Sequence, residues 1–386
     1  MANRPMNPFA QNLRQRALLT PCYDVRRVHG NLPQEQKTDL LVRFWPTGDH
    51  DRGPATSGIN CLIVLLKRIY GAVLDPLWNE DDESVKQMEA DNPFMAHAWL
   101  VLGPKTKDVG AALDKLTVQI WGKELGDIAV EDLQFKNLAS HARMQTTLWS
   151  MKQFTPMLGH LWSQQNTHQW RRLQAESTPP EVKNYFEKWN STPNPDSIRL
   201  DAFPGMSLDV KVNKLFGEFS VGDSTLLVRP DAPVFLYVTF TVKGVGEENL
   251  NFDAFRRFTL EVGKFVDVNG TMRWQRTGRM PYTLIALVKH RNSADDCDTI
   301  RVYDEMGNMN IPNAKMPAYA TPSWRMADMQ NGDTFFALYV YSRMPPKSDP
   351  PFPEVFKRAD LRTYNEEFDK FSAFLNKGQN VKRERD

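Results

Sequence analysis

Cys61 combines reactive chemistry with a suggestive position in this sequence. A polar, turn-prone stretch over residues 54–60 precedes it, and an apolar, helix-like stretch over residues 62–70 follows it. A cysteine at the start of a helix lies near unpaired backbone N–H groups and the positive end of the helix dipole, which favour the nucleophilic thiolate. The pattern therefore predicts a reactive thiol at a helix N-terminus. The alternative is an inert cysteine buried for packing, because cysteine is among the residue types most often buried.

The elements that would position this thiol begin with a helical stretch over residues 56–204. Thr178, Pro179, Pro180 and Glu181 form a capping sequence and predict a helix start there. A second helix face is predicted from apolar residues that recur at intervals of three to six: Leu133, Leu138, Met144, Leu148 and Met151.

A β-rich stretch over residues 205–343 follows, because the apolar period changes to two. Residues 235–242 are apolar or β-prone on both faces and predict an interior strand. Asn269-Gly270 predicts a tight hairpin turn. Further strands are expected at residues 282–289, 299–303 and 335–341, with a turn at 305–308.

The two ends of the chain differ from this central region. Residues 1–55 are rich in Asn, Gln, Arg and Pro and are interpreted as an extension that docks by a short element near residues 40–45 and is otherwise loop. Residues 344–386 contain a Pro-rich spacer, an aromatic-faced C-terminal helix and a charged tail. We expect that helix to pack on its own domain.

The composition indicates which classes of partner and cofactor the chain is expected not to bind. The chain has 386 residues, 41% of them hydrophobic, with 48 Lys and Arg against 47 Asp and Glu, so no global charge favours nucleic acid or a membrane surface. Three widely spaced cysteines, no N-terminal signal core and apolar runs too short to span a bilayer predict an intracellular protein, in cytoplasm or nucleus. No C-x-x-C pair or histidine ligand spacing is present, so neither a metal nor another cofactor is expected.

Gly58 lies three residues before Cys61, and the pair Leu65-Leu66 follows in the apolar stretch. With these residues the sequence resembles the ubiquitin-specific protease family of papain-like cysteine peptidases, whose nucleophile lies in a Gly-Asn-Thr-Cys-Tyr-type box that starts a Leu-rich helix. The second family box is a strand ending at a non-catalytic histidine, a loop with the catalytic histidine, and an orienting Asp or Asn. The resemblance covers roughly residues 55–343 and implies an α+β papain-like fold, with a helical half packed on an antiparallel β half.

The resemblance also implies site roles. Cys61 takes the nucleophile position, Asn313 the orienting position and Asn60 the oxyanion position, although Asn60 is equally suited to a helix cap. Asp298 falls where the catalytic histidine is expected. A carboxylate there opposes formation of a thiolate and is a poor proton donor at neutral pH. His290, at the end of the preceding strand, is either a relocated base or an ordinary surface imidazole.

Three functional hypotheses follow. The first is a deubiquitinase-like protein with impaired or absent thiol protease activity that binds ubiquitin, a ubiquitin-like protein or another protein partner. The second is an active ubiquitin thiol hydrolase that pairs Cys61 with His290. The third is an unrelated α+β structural or interaction protein in which Cys61 is a core residue.

Overall fold

A computed structural model gives the fold of this chain and describes residues 22–28, 38, 41–42, 45–46, 53–72, 76–102, 106–164, 169–174, 176–190, 198–310, 318–320, 324–342 and 352–354. It combines helices with three β-sheets. Within these ranges, no helix is long and apolar enough to cross a membrane, and no group of three or more His, Cys, Asp or Glu could hold a metal ion.

The helices of the described residues lie mostly in the first half of the chain. They are α1 (Val25–Val28), α2 (Pro54–Ala72), α3 (Glu83–Asp91), α4 (Pro93–Ala98), α5 (Thr106–Trp121), α6 (Phe135–Ala139), α7 (Ala142–Thr146), α8 (Pro180–Asn190) and α9 (Leu208–Asn213). Short 3-10 turns are found at Pro76–Trp78, Leu125–Asp127, Phe252–Phe255, Ala318–Ala320 and Met326–Asp328. Helix α2 is the longest and is buried along most of its length.

The strands form one large and two small sheets. They are β1 (Cys22–Asp24), β2 (Leu100–Leu102), β3 (Met157–Gln164), β4 (Arg171–Arg172), β5 (Ile198–Ala202), β6 (Gly217–Val221), β7 (Ser224–Pro230), β8 (Phe235–Val242), β9 (Arg257–Val268), β10 (Thr271–Lys289), β11 (Thr299–Val302) and β12 (Thr334–Tyr341). The central sheet has the order β11-β10-β12-β8-β5, with β9 paired to β10, and a smaller sheet has the order β4-β3-β7-β6. Strand β5 is parallel to β8, and the other pairs of the central sheet are antiparallel.

The β-strand and hairpin predictions are confirmed. Strand β8 has the predicted bounds, β10 and β12 cover the strands predicted at 282–289 and 335–341, and β11 matches the strand predicted at 299–303 except for its last residue. Asn269 and Gly270 have φ of 54° and 78°, so both central residues of the β9–β10 turn adopt the positive φ that this short hairpin requires.

The central sheet separates two hydrophobic clusters. In β8, Phe235 and Tyr237 pack with the helices, whereas Leu236, Val238 and Phe240 pack on the opposite side with the smaller sheet. Because side chains alternate across a strand, both faces of β8 must be apolar. This burial on two sides explains the continuous apolar run in the sequence.

Several expectations for the first half of the chain are wrong. Strands β3, β4 and β5 lie within the stretch expected to be helical, and β3 pairs with β7 while β5 pairs with β8. The apolar residues between Leu133 and Met151 belong to two short helices and turns rather than to one helix face. These residues are buried by contacts with other parts of the chain. Their spacing in the sequence resembles a helical period only by coincidence.

The terminal predictions have mixed outcomes. Residues Cys22–Asp24 form a strand that pairs with Leu100–Leu102, which the sequence did not suggest, and Leu41 and Trp45 are buried in the helical cluster. The predicted Pro-rich spacer, C-terminal helix and charged tail lie outside the described residues, which include only 352–354 of residues 344–386.

Candidate functional site

Cys61 is not at a helix N-terminus. Helix α2 begins at Pro54, so Cys61 lies about two turns inside it, where its backbone N–H belongs to the helical hydrogen-bond ladder. Its side chain is 0% exposed and belongs to the hydrophobic cluster of the helical region. The prediction of a thiol over unpaired N–H groups is therefore wrong, because the polar run over residues 54–60 is the first part of the helix rather than a loop before it.

Asn60 is also inside helix α2. It is 8% exposed and lies one residue before Cys61 in the same turn. A helix cap must lie outside the first helical turn, so the interpretation of Asn60 as a cap is wrong. Asn313 lies outside the described residues.

Asp298 is the centre of a buried polar cluster at the first turn of α2. Its carboxylate oxygens accept hydrogen bonds from the backbone N–H groups of Phe135, at 3.0 Å, and Arg291, at 3.1 Å. Its own backbone N–H donates to the Ser57 hydroxyl at 3.0 Å, and that hydroxyl donates to the Pro54 carbonyl. Asp298 thereby joins the start of α2, the start of α6 and the strand β11 that follows it.

The electrostatics of Asp298 suit this joining role. Burial raises the pKa of Asp298, while the two backbone N–H donors and the Arg291 guanidinium oppose that shift. The carboxylate accepts a hydrogen bond at the first residue of α6, where backbone N–H groups favour negative charge. Hydrogen bonds from backbone N–H groups and a buried guanidinium neighbour are typical of a structural carboxylate.

Arg291 completes the cluster and was not identified from the sequence. Its Nη1 donates to the Pro54 carbonyl at 2.7 Å, its Nη2 donates to the Val130 carbonyl, and its Nε lies 3.9 Å from an Asp298 carboxylate oxygen. The side chain is completely buried. An arginine that is buried and makes several hydrogen bonds leaves no periodic pattern in the sequence. The residues around Arg291 in the sequence therefore give no indication of this role.

Gly58 allows the segment before α6 to lie directly on helix α2. A Cβ atom at this position would be 2.1 Å from the Leu133 carbonyl oxygen and 2.5 Å from the Phe135 nitrogen. Both are backbone atoms, which cannot rotate away. The glycine that the sequence shares with the protease box is thus required for close packing over the start of α2.

His290 is held in place by contacts with Thr334 and with the ring of Phe135. Its backbone N–H donates to the Thr334 carbonyl, its Nδ1 lies 2.8 Å from the Thr334 hydroxyl, and its ring packs on Phe135 with centroids 5.7 Å apart. The side chain is 4% exposed, so the interpretation as an ordinary surface imidazole is wrong. Phe135 contacts α2 through its backbone and His290 through its ring.

Acid is expected to destabilise the protein through His290. Burial, with a lesser contribution from the Lys136 charge, lowers the pKa of His290 to about 3, whereas an unfolded-chain histidine titrates near about 6.5. The neutral imidazole is therefore favoured by folding. Its contribution to stability is complete above the unfolded pKa and is lost as the pH falls from about 6.5 towards 3. His97 and His160, whose pKa values burial lowers to about 3 and about 4, act in the same direction.

Urea unfolding at a series of pH values measures this effect. We expect the free energy of unfolding to decrease between about pH 6.5 and pH 4, and His290→Gln to reduce that slope by up to about 1.4 kcal/mol per pH unit. The difference between the two proteins should be constant above about pH 7.5, where the imidazole is neutral in both states. Equal slopes in the acid range would show that His290 takes up no proton on unfolding, so that its pKa is not lowered in the folded protein.

Comparison with known proteins gives distant structural neighbours. No family model matches the chain, and no curated protein matches it. A solved structure of the Saccharomyces cerevisiae PAN2 pseudoubiquitin-hydrolase is similar with a TM-score of 0.30 and 11% identity, covering 78% of this chain and 88% of that one. A structure of the SAGA Ubp8/Sgf11/Sus1/Sgf73 DUB module gives a TM-score of 0.35 and 9% identity, covering 78% of this chain and 69% of that one.

A third neighbour is a Saccharomyces cerevisiae Pan2 pseudoubiquitin hydrolase-RNA exonuclease module in complex with AAGGA RNA. The TM-score is 0.26 and the identity 8%, over 91% of this chain and 55% of that one, so the chain spans about half the length of that neighbour. The expectation that this chain has no nucleic-acid partner stays a prediction.

Proposed function

We propose that this chain is a ubiquitin-specific-protease-like protein without thiol protease activity, which acts by binding ubiquitin, a ubiquitin-like protein or another protein. The proposal rests mainly on where helix α2 begins. In the family that the sequence resembles, the nucleophilic cysteine starts this helix. In this chain the helix starts with Pro54, Ala55, Thr56 and Ser57, and the nearest cysteine is buried in the core.

The second support is the packing over that turn. A thiol hydrolase needs an accessible thiolate, an imidazole within hydrogen-bond reach and space for the scissile carbonyl. Asp298, Arg291 and the segment at Phe135 instead cover the helix start with backbone hydrogen bonds. His290 is engaged with Thr334, which disfavours its use as a relocated base.

A ubiquitin carrying a C-terminal thiol-reactive group tests for activity. We expect no covalent adduct with the full chain, and the same result with Cys61→Ala, because the thiol is inaccessible. Cys297→Ala serves as the matched control for reaction at a partly exposed cysteine. An adduct that disappears in Cys61→Ala and persists in Cys297→Ala would establish the active thiol hydrolase and overturn the proposal.

Capture experiments test the binding half of the proposal. Immobilised full chain should retain ubiquitin or a ubiquitin-like protein at micromolar concentrations, with an acid-unfolded sample as the control. If none of these modifiers is retained, ubiquitin recognition is wrong and the third hypothesis, an unrelated α+β interaction protein, becomes the better account.

A further inference from the structure

A cavity of about 330 Å³ lies on the helical side of the central sheet, between that sheet and the α6–α7 region. Strands β8 and β12 contribute Thr239, Thr241 and Thr334, while Lys136 and Trp149 come from the helical side. The volume lies within the range of small-molecule sites, roughly 300–1,000 Å³.

His290 offers the cavity a buried polar atom. The imidazole lines the cavity, and its Nδ1 is engaged with the Thr334 hydroxyl. Its Nε2 is buried and has no hydrogen-bond partner among the described residues. Leaving a buried ring nitrogen unpaired is costly, so native structures usually provide such an atom with a partner.

The charge around the cavity is positive. Lys136 and Arg199 line it and are exposed, and neither forms an ion pair with any other residue that the structure describes. Among the described residues no Asp or Glu lines it. The Lys136 charge also reaches the imidazole, because it contributes to lowering the His290 pKa. A cleft of one charge sign attracts ligands of the opposite sign.

The remaining wall is aromatic. The Tyr237 ring packs against Trp149 at 4.6 Å and against Phe336 at 5.6 Å between centroids, and Phe336 contacts Phe135 at 5.4 Å. These rings line the cavity beside the threonine side chains, and each is at most 5% exposed. A flat, apolar group can pack on such a surface with ring contacts that add to simple burial.

We propose that this cavity binds a small ligand in which a planar apolar ring carries a carboxylate or phosphate group. The ring packs on Tyr237, Trp149 and Phe336, and the anionic group lies near Lys136 and Arg199. His290 Nε2–H donates to the anion, while its Nδ1 accepts a hydrogen bond from the Thr334 hydroxyl. This site goes beyond the proposed function, because it requires neither ubiquitin nor a thiol.

Titration of the full chain with benzoate, phenyl phosphate and neutral benzamide, followed by NMR and calorimetry, tests the ligand class. We expect saturable millimolar or tighter binding of at least one of the two anions, and at least about tenfold weaker binding of benzamide. The two anions distinguish a carboxylate site from a phosphate site. Equal binding of benzamide would overturn the anionic requirement, and inorganic phosphate binding as tightly as phenyl phosphate would overturn the aromatic one.

Variants test the location. Lys136→Gln and Arg199→Gln should each weaken anion binding about tenfold, whereas Lys123→Gln and Arg172→Gln, which alter exposed cations outside the cavity, should leave it unchanged. Bound ligand should also shift the ¹⁵N resonances of His290 towards the Nε2–H tautomer. Absence of saturable binding, or binding that is indifferent to both cavity variants, would overturn the proposal.

Discussion

Gly58→Ala is expected to lower the free energy of unfolding by about 3 kcal/mol or more. In an ordinary helix interior this substitution would stabilise the protein by up to about 1 kcal/mol, because alanine is the better helix former. In this chain the added Cβ would lie 2.1 Å from the Leu133 carbonyl oxygen and 2.5 Å from the Phe135 nitrogen. Helix α2 and the segment before α6 must therefore separate, and the steric cost exceeds the propensity gain.

Equilibrium urea unfolding of Gly58→Ala and the parent chain measures this difference. Gly126→Ala is the matched control, since a Cβ at Gly126 meets no atom within 4 Å. We expect the control to change stability by less than about 0.5 kcal/mol. A Gly58→Ala protein as stable as the parent would mean that α2 and the α6 segment are not in backbone contact.

Asp298→Asn is expected to be the second most damaging change, lowering the free energy of unfolding by about 3 kcal/mol. The amide oxygen can replace only part of the carboxylate, which accepts from two backbone N–H groups, and the amide NH2 group faces donors. The substitution also removes the negative charge beside the buried Arg291 guanidinium. The remaining cation would then be desolvated with only carbonyl partners.

A double-mutant cycle with Arg291→Met separates the charge pair from the backbone hydrogen bonds. We expect a coupling energy of about 1–3 kcal/mol between the two sites, because each side chain is buried beside the other. Asp295→Asn, an exposed carboxylate in the same loop, should be nearly neutral. If Asp298→Asn changed stability as little as Asp295→Asn, Asp298 would have no structural role. Its contact with the first turn of α2 would then need a functional explanation.

Both predictions concern residues that the sequence connects with catalysis. The sequence resemblance places Gly58 in the nucleophile box and Asp298 at the position of the catalytic histidine. In the structure, both make contacts with backbone atoms of neighbouring segments. Their shared effect is to cover the start of α2, where a hydrolase of this type would need an open cleft.

The β-rich second half of this protein could be predicted from the amino-acid sequence. Strand β8 and the Asn269-Gly270 turn follow from local chemistry, because burial on two faces requires a continuous apolar run and positive φ favours Asn and Gly. The early strands β3 and β5 were missed, since their partners β7 and β8 are distant in the sequence.

The nature of the site depends on contacts between distant segments, which local sequence patterns do not reveal. The polar stretch before Cys61 is compatible with a loop, or with a helix whose polar residues are buried against other segments. In the structure it is helical, and its first turn is held by hydrogen bonds from Arg291 to Pro54 and from Asp298 to Ser57. Burial of Cys61 follows from where that helix begins. Whether a thiol is reactive depends on its surroundings in three dimensions, and those surroundings are built from segments more than a hundred residues apart in the chain.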